Sequence, residues 1–333
     1  MSQKNIYPSS ICILRLSSIG DITHMIPVIK TIQQNLPKSD ITWVIGKNEY
    51  QLVKSIKKIR FIIIDKNKTI QSILNLKNTI KGERFDVLLH MQRSLRSKLL
   101  SLFIRAHKKL NYTNVKMPKE THVLDSFFYF LKHIGIQEVL LDWSLNIDIS
   151  NKINVDGIKK YIVFNPFTSS RRFNYREWDL QNYEYVAEHL SKKYNLHSIM
   201  VGGNSDYEIE SSKKLSSKNF IYNLVGKTNL EELCTIIKGC EFYIGPDSGT
   251  LHIASMFSKP TLGLFATSNP KRTGPYQNQK YVINKYNEAI RIYKNTSIEK
   301  VKWGTRVRNK KAMSLINVED VIKMVDKLLE NKT

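Results

Sequence analysis

Short runs of consecutive apolar residues alternate with segments of helical spacing along much of this chain. The first run, 11–16 (ICILRL), predicts a buried strand. A small polar loop follows over 17–21, and then Ile22, Ile26, Ile29 and Ile32 fall at helix spacing. Further strands are predicted at 41–46, 60–65 and 86–91, with helices near 48–55, 69–81 and 94–104. Residues 122–134 (HVLDSFFYFLKHI) predict an aromatic-rich core helix. The strands are apolar on both faces, as a parallel sheet covered by helices requires.

The alternation lapses into Asn- and Asp-rich sequence over 142–156, and then it resumes. Strands are predicted at 161–167, 198–203, 221–226, 242–246 and 261–266. Helices are predicted at 180–192, 207–215, 230–238, 249–257 and, last, 318–329. The pattern is α/β: two Rossmann-like doubly wound domains, expected to face each other across a cleft. Expected bounds are 1–150 and 157–315, with a C-terminal helix in 316–333. Neither half carries a G-x-G-x-x-G fingerprint or a P-loop, so hydride transfer and ATP hydrolysis have no motif behind them.

Charge changes this picture more than length does. The 333 residues carry 52 Lys+Arg against 29 Asp+Glu, a formal +23. That excess fits an anionic partner, whether nucleotide, nucleic acid or membrane surface. It also fits drift in a Lys-rich chain, with Lys57, Lys58, Lys192, Lys193, Lys213 and Lys214 on predicted exposed helix faces. Nucleic acid is disfavoured, because RNA-binding aromatic signatures, zinc-finger spacing and a concentrated basic arm are all missing. Cys12, Cys234 and Cys240 form no C-x-x-C pair, so neither a disulfide framework nor a zinc site is expected. No apolar run approaches the roughly 18 residues of a membrane span. The first residues, MSQKNIYPSS, lack a signal-peptide core, and a cytoplasmic location is expected.

Three loops carry candidate chemistry. In the first (17–21), Ser18 and Gly20 line a strand-to-helix turn where free helix N–H groups point at any ligand. Asp21 has two readings there: a plain helix cap, or a general base that a helix N-terminus keeps ionised. His24, a turn later, is expected in the core. The second loop is 245–252 (GPDSGTLH), where Ser248, Gly249 and Thr250 offer hydroxyls and close backbone approach to a diphosphate. A well-capped helix would look the same. The third is 168–178, with Ser169, Ser170, Arg171, Arg172 and Arg176. It reads either as a clamp on a diphosphate leaving group or as a solvated basic loop.

Taken in order, 17–24 (SSIGDITH), 176–178 (REW) and 245–252 (GPDSGTLH) resemble the lipopolysaccharide heptosyltransferases of glycosyltransferase family 9. The spacing matches over nearly the whole chain. The tail 306–321 (RVRNKKAMSLINVEDV) resembles the subgroup that adds the first heptose. The resemblance implies a GT-B fold and an inverting, metal-independent transfer with no cofactor. The donor would be ADP-heptose, and the acceptor the 3-deoxy-octulosonic acid of an anionic lipid A. It implies a peripheral place on the inner face of the cytoplasmic membrane.

By the same resemblance the catalytic base falls on Asp21. The donor's phosphates fall on Arg176, where Lys is common, and its loop on Asp247, Ser248, Gly249 and His252. Ser18, Gly20, Ser169 and Ser170 are further donor contacts, Glu208 meets ribose, and the backbone at Thr228 meets adenine. Arg93, Arg96 and Lys98 are left to hold the acceptor, because 112–122 (YTNVKMPKETH) is shorter than the family's acceptor region. That departure keeps two alternatives open. One is a degenerate relative that binds nucleotide or membrane without turnover; the other is a member that adds a later heptose.

Overall fold

The computed structural model describes residues 7–146, 157–158, 160–168, 174–215 and 218–330. It divides into two compact units, Met1–Asn146 and Ile147–Thr333.

The first unit holds five parallel strands: β1 (Ser10–Leu14), β2 (Asp40–Gly46), β3 (Arg60–Ile64), β4 (Phe85–His90) and β5 (Ala106–Asn111). Their order across the sheet is β3-β2-β1-β4-β5. Five helices connect them: α1 (Ile19–Asn35), α2 (Lys47–Val53), α3 (Thr69–Thr79), α4 (Leu95–Phe103) and α5 (Val123–Lys132). On one face Cys12, Leu14 and Leu88 share a core with Leu76 of α3 and Leu100 of α4. Elsewhere α1 packs against α5, which buries Phe127, Phe130 and Leu131.

The second unit has six strands: β6 (Tyr161–Phe164), β7 (His197–Met200), β8 (Ile221–Asn223), β9 (Tyr243–Pro246), β10 (Thr261–Phe265) and β11 (Val282–Asn284). Their order is β11-β10-β9-β6-β7-β8, with parallel pairing throughout. The helices are α6 (Leu180–Tyr194), α7 (Asp206–Lys213), α8 (Leu230–Gly239), α9 (Gly249–Met256), α10 (Pro270–Thr273), α11 (Tyr286–Lys294) and α12 (Val318–Glu330). The apolar stripe of α12, Val321, Val325 and Leu328, joins the second unit's core beside Val186, Ala187 and Leu190 of α6. Asp326 locks the pair, accepting from His189, Lys193 and Tyr194 at 2.7, 2.8 and 2.9 Å. None of the described helices is long and apolar enough to cross a membrane.

The predicted strands and helices are all present, mostly one to three residues shorter at their ends. Four elements escape the apolar pattern: β5, β11, α10 and α11. The reason is clearest in β5 (AHKKLN), an edge strand paired only with β4, whose His107, Lys108 and Lys109 face solvent.

Both sheets share one feature that positions ligands. In the first, the chain runs outward from β1 through β2 and β3, then returns to start β4 on the other side of β1. In the second, it runs outward from β6 and returns to start β9 beside β6. At such switch points the loops leaving the carboxyl ends of adjacent strands diverge and open a crevice.

Candidate active site

The first switch point lies between β1 and β4, and the loop carrying Asp21 leaves β1 there. Ser18 is the N-cap of α1, and Asp21 stands three residues on. The Asp21 Oδ2 accepts from the Ser18 N–H and from the Ser18 hydroxyl, both at 3.0 Å. Asp21 is therefore a cap as well as a candidate base. The same Oδ2 meets Arg15 Nη2 at 2.5 Å. Oδ1 makes no polar contact among the described residues, and a quarter of the side chain is exposed. Burial by itself would raise the Asp21 carboxyl. The Arg15 charge and the Ser18 hydrogen bonds outweigh it and hold the group below the usual carboxylate range.

Arg15 went unnoticed in an otherwise apolar strand, and that setting was the signal. A guanidinium 8 % exposed needs partners. It finds Asp21, the Met91 carbonyl, and the face of Phe127 at 5.2 Å. Gln92 completes the link across the switch point. Its Oε1 accepts from Leu16 N–H at 2.7 Å, and its Nε2 lies 3.4 Å from Ser17 Oγ. Gly20 is buried in the first turn, and its carbonyl accepts from Thr23 at 2.7 Å. His24 is in the core as expected, 4 % exposed and edge-on to His122 at 5.4 Å.

The candidate acceptor residues separate. Arg93 lies over the Tyr112 ring at 4.3 Å, one residue after Gln92, which contacts the Asp21 loop. Burial raises the Tyr112 phenol, against the opposing charge of Arg15, so it stays neutral. Arg96 and Lys98 lie on α4, half-buried and exposed respectively. Lys98 and Lys109 add to burial in pushing His90 down to about 4, which leaves a neutral imidazole bonded to Ser97 at 3.0 Å.

The second switch point lies between β6 and β9. The loop after β9 turns into α9 at Ser248. Here the carboxylate points inward. Asp247 is 7 % exposed, and its Oδ2 accepts from Ser268 at 2.8 Å and Thr273 at 3.3 Å. Arg176, 71 residues earlier in the chain, reaches over and donates to the Asp247 carbonyl at 2.6 Å. His252 Nε2 lies 4.0 Å from Asp247 Oδ1. Thr250 Oγ1 gathers Tyr243 OH at 2.6 Å, Asn165 Nδ2 at 3.0 Å and Ser248 Oγ at 3.0 Å. Gly245 is required by packing. A Cβ there would lie 2.6 Å from Tyr243 OH and 3.0 Å from the Asn165 carbonyl. Asp247, Ser248, Gly249, His252 and Arg176 therefore form one cluster at the carboxyl end of the second sheet.

Glu208 and Thr228 lie outside that cluster, in the first turn of α7 and on the loop after β8. Glu208 accepts from Gly203 N–H at 3.0 Å and Ser205 Oγ at 2.6 Å, closing its own loop. Thr228 Oγ1 is buried with no hydrogen-bond partner among the described residues. Glu177 links the loop after β6 to α7 by accepting from Thr168 N–H and from Tyr207 OH, both at 2.8 Å. Burial is the main cause that raises its carboxyl. Ser169, Ser170, Arg171 and Arg172 lie outside the described residues.

Residues 73–302 match the model of glycosyltransferase family 9 (heptosyltransferase). The chain is 32 % identical to the lipopolysaccharide core heptosyltransferase OpsX of Haemophilus influenzae, over 96 % of this chain and 97 % of that one. Two solved structures of the E. coli heptosyltransferase WaaC are similar in fold. The one with ADP has a TM-score of 0.74 at 16 % identity, covering 96 % of this chain and 99 % of that one. The one with ADP-2-deoxy-2-fluoro heptose has a TM-score of 0.70 at 16 % identity, covering 97 % and 100 %. The chain thus has the GT-B fold and belongs to glycosyltransferase family 9, the heptosyltransferases.

Proposed function

We propose that this glycosyltransferase moves heptose from ADP-heptose to the 3-deoxy-octulosonic acid of a lipid A-type acceptor in lipopolysaccharide core assembly. The observation that carries the chemistry is the Asp21 carboxylate. Arg15 and Ser18 hold it ionised through one oxygen and leave the other open. A general base needs that combination: a fixed orientation, a retained charge and a free lone pair. Oδ1 accepts the proton of the acceptor hydroxyl as its oxygen attacks the anomeric carbon, and the donor's diphosphate leaves from the opposite face. The sugar inverts in this single displacement.

The second unit supplies the donor site. Arg176 and the Ser248–Gly249 turn meet the diphosphate, whose growing charge a guanidinium and helix N–H groups stabilise. Ser169 and Ser170 add hydroxyls, Glu208 meets the ribose, and the backbone at Thr228 meets the base. Ser18 and Gly20 are further donor contacts. Arg93, one residue after Gln92, is the leading contact for an anionic acceptor, with Arg96 and Lys98 further along α4. No metal or cofactor has a role in this scheme. The chain acts on the inner face of the cytoplasmic membrane, drawn there by its positive charge.

The test is product formation from ADP-heptose and a lipid A acceptor ending in 3-deoxy-octulosonic acid, read by mass spectrometry. The expected result is a mass gain of one heptose. No gain on this acceptor, with gain on one already carrying a heptose, would overturn the assigned position. No gain on either, with ADP still bound, would overturn the reaction.

A further inference from the structure

Two helices of the first unit carry more apolar surface than their core uses. Leu95, Leu99 and Leu102 of α4 are 83 %, 43 % and 72 % exposed, at spacings that put them on one stripe. Ile70 and Leu74 of neighbouring α3 are 78 % and 53 % exposed. The inner faces are already satisfied, since Leu76 and Leu100 are buried against β1 and β4. The two helices touch, and Lys77 of α3 sits over the Phe103 ring of α4 at 5.2 Å. They therefore present one continuous outer face. An apolar stripe of this kind is unusual on a surface with no partner.

The charge around that face is one-sided. Residues 67–82 contain three lysines and no acid, and residues 91–105 contain four Lys or Arg and no acid. Helix geometry places Lys98 on one flank of the leucine stripe and Arg96 on the other. Long cationic side chains flanking leucines are the signature of a helix lying in a lipid interface, with stems in the apolar layer and heads at the phosphates. A protein partner would need acidic groups matched one by one. Scattered lysines suit a fluid anionic surface.

We infer that the α3–α4 face is a docking surface for an anionic bilayer, with Leu95, Leu99 and Leu102 entering the interface. This deepens the membrane reading proposed above, which invoked charge alone. It also gives the surface a functional address. Helix α4 starts three residues after Gln92, which clasps the Asp21 loop. The lipid-facing stripe thus begins at the catalytic end of the first sheet, where a lipid-borne acceptor must arrive.

The experiment is sedimentation of the full chain with vesicles of phosphatidylglycerol and phosphatidylethanolamine, against vesicles of phosphatidylcholine. The wild-type chain binds the anionic vesicles. The variant Leu95→Ser/Leu99→Ser/Leu102→Ser should lose at least about tenfold in partition. These side chains are outside the core, so its unfolding midpoint should stay near wild type. A fluorophore on Leu99→Cys should shift to the blue on anionic vesicles. One on Ile292→Cys, exposed in the second unit, should not. The native cysteines are buried, so labelling is selective. Unchanged vesicle binding by the triple variant, or an unshifted probe at position 99, would overturn the insertion. So would retention on RNA that equals vesicle binding and ignores the leucines. Transfer to a delipidated, soluble acceptor should survive in the triple variant. Loss of transfer in the wild type would count against the proposed reaction and leave the docking result standing.

Discussion

The two switch-point loops are built alike and use their carboxylates in opposite ways. Each leaves a central parallel strand, turns at a serine and starts a helix. In the first, Asp21 is a quarter exposed, and its Oδ2 is tied to Arg15, one residue past the end of β1, and to Ser18. In the second, Asp247 is buried among Ser268, Thr273 and His252, while Arg176 grips its backbone carbonyl. The first loop leaves its carboxylate partly exposed. The second buries its carboxylate, which braces the turn. The lesson is that a strand–Ser–helix turn with an aspartate does not disclose its chemistry. What decides is which way the carboxylate is tied: Asp21 by Arg15 and Ser18 on its own turn, Asp247 by Ser268 and Thr273 from beyond the next strand.

The sharpest way to break this comparison is Asp21→Asn, which keeps the shape and removes the charge. Turnover should fall by about three orders of magnitude, while calorimetry shows ADP bound as before. Comparable turnover would make Asp21 a cap like any other.

Arg176→Ala strikes the other loop and should act on binding. The Kd for ADP should rise roughly tenfold to a hundredfold, the range of a lost charge-assisted hydrogen bond, with partial recovery in Arg176→Lys. A fall in turnover with unchanged ADP affinity would move Arg176 away from the phosphates.

Arg15→Gln tests how the base is tuned. Arg15 lowers the Asp21 carboxyl, so its removal raises that pKa. The group then becomes protonated at higher pH, and the acid limb of the kcat/KM profile should move upward. A stationary limb would mean that another group sets the limb. The smallest effect belongs to Ser268→Ala, which removes one bond to the bracing carboxylate and should cost about 1 kcal/mol in a denaturant melt. A larger loss in ADP affinity than in stability would show that Asp247 faces ligand after all.

Much of the architecture was legible in the linear pattern. A strand covered by helices on both faces must be apolar on both, so the long apolar runs announced parallel sheets before any coordinates. Where that condition relaxes, the pattern fails. The polar edge strand β5 has one neighbour, and its charged residues reach water. Helix α11 is strongly two-sided, with charged Glu288, Arg291 and Lys294, so few of its residues mark it as buried.

The site divides along the same line. The sequence by itself determined the two α/β halves, the three candidate loops and the family, because backbone periodicity and short motifs are local properties. Tertiary structure alone decided what each polar group does. It set Gln92 against a loop 75 residues away in the chain, and Arg176 against Asp247, 71 residues away. It also seated α12 on α6 and left the leucines of α4 outside the core. These are contacts between strands and helices far apart in the chain, and sheet order, which no local pattern encodes, brings them within hydrogen-bonding distance.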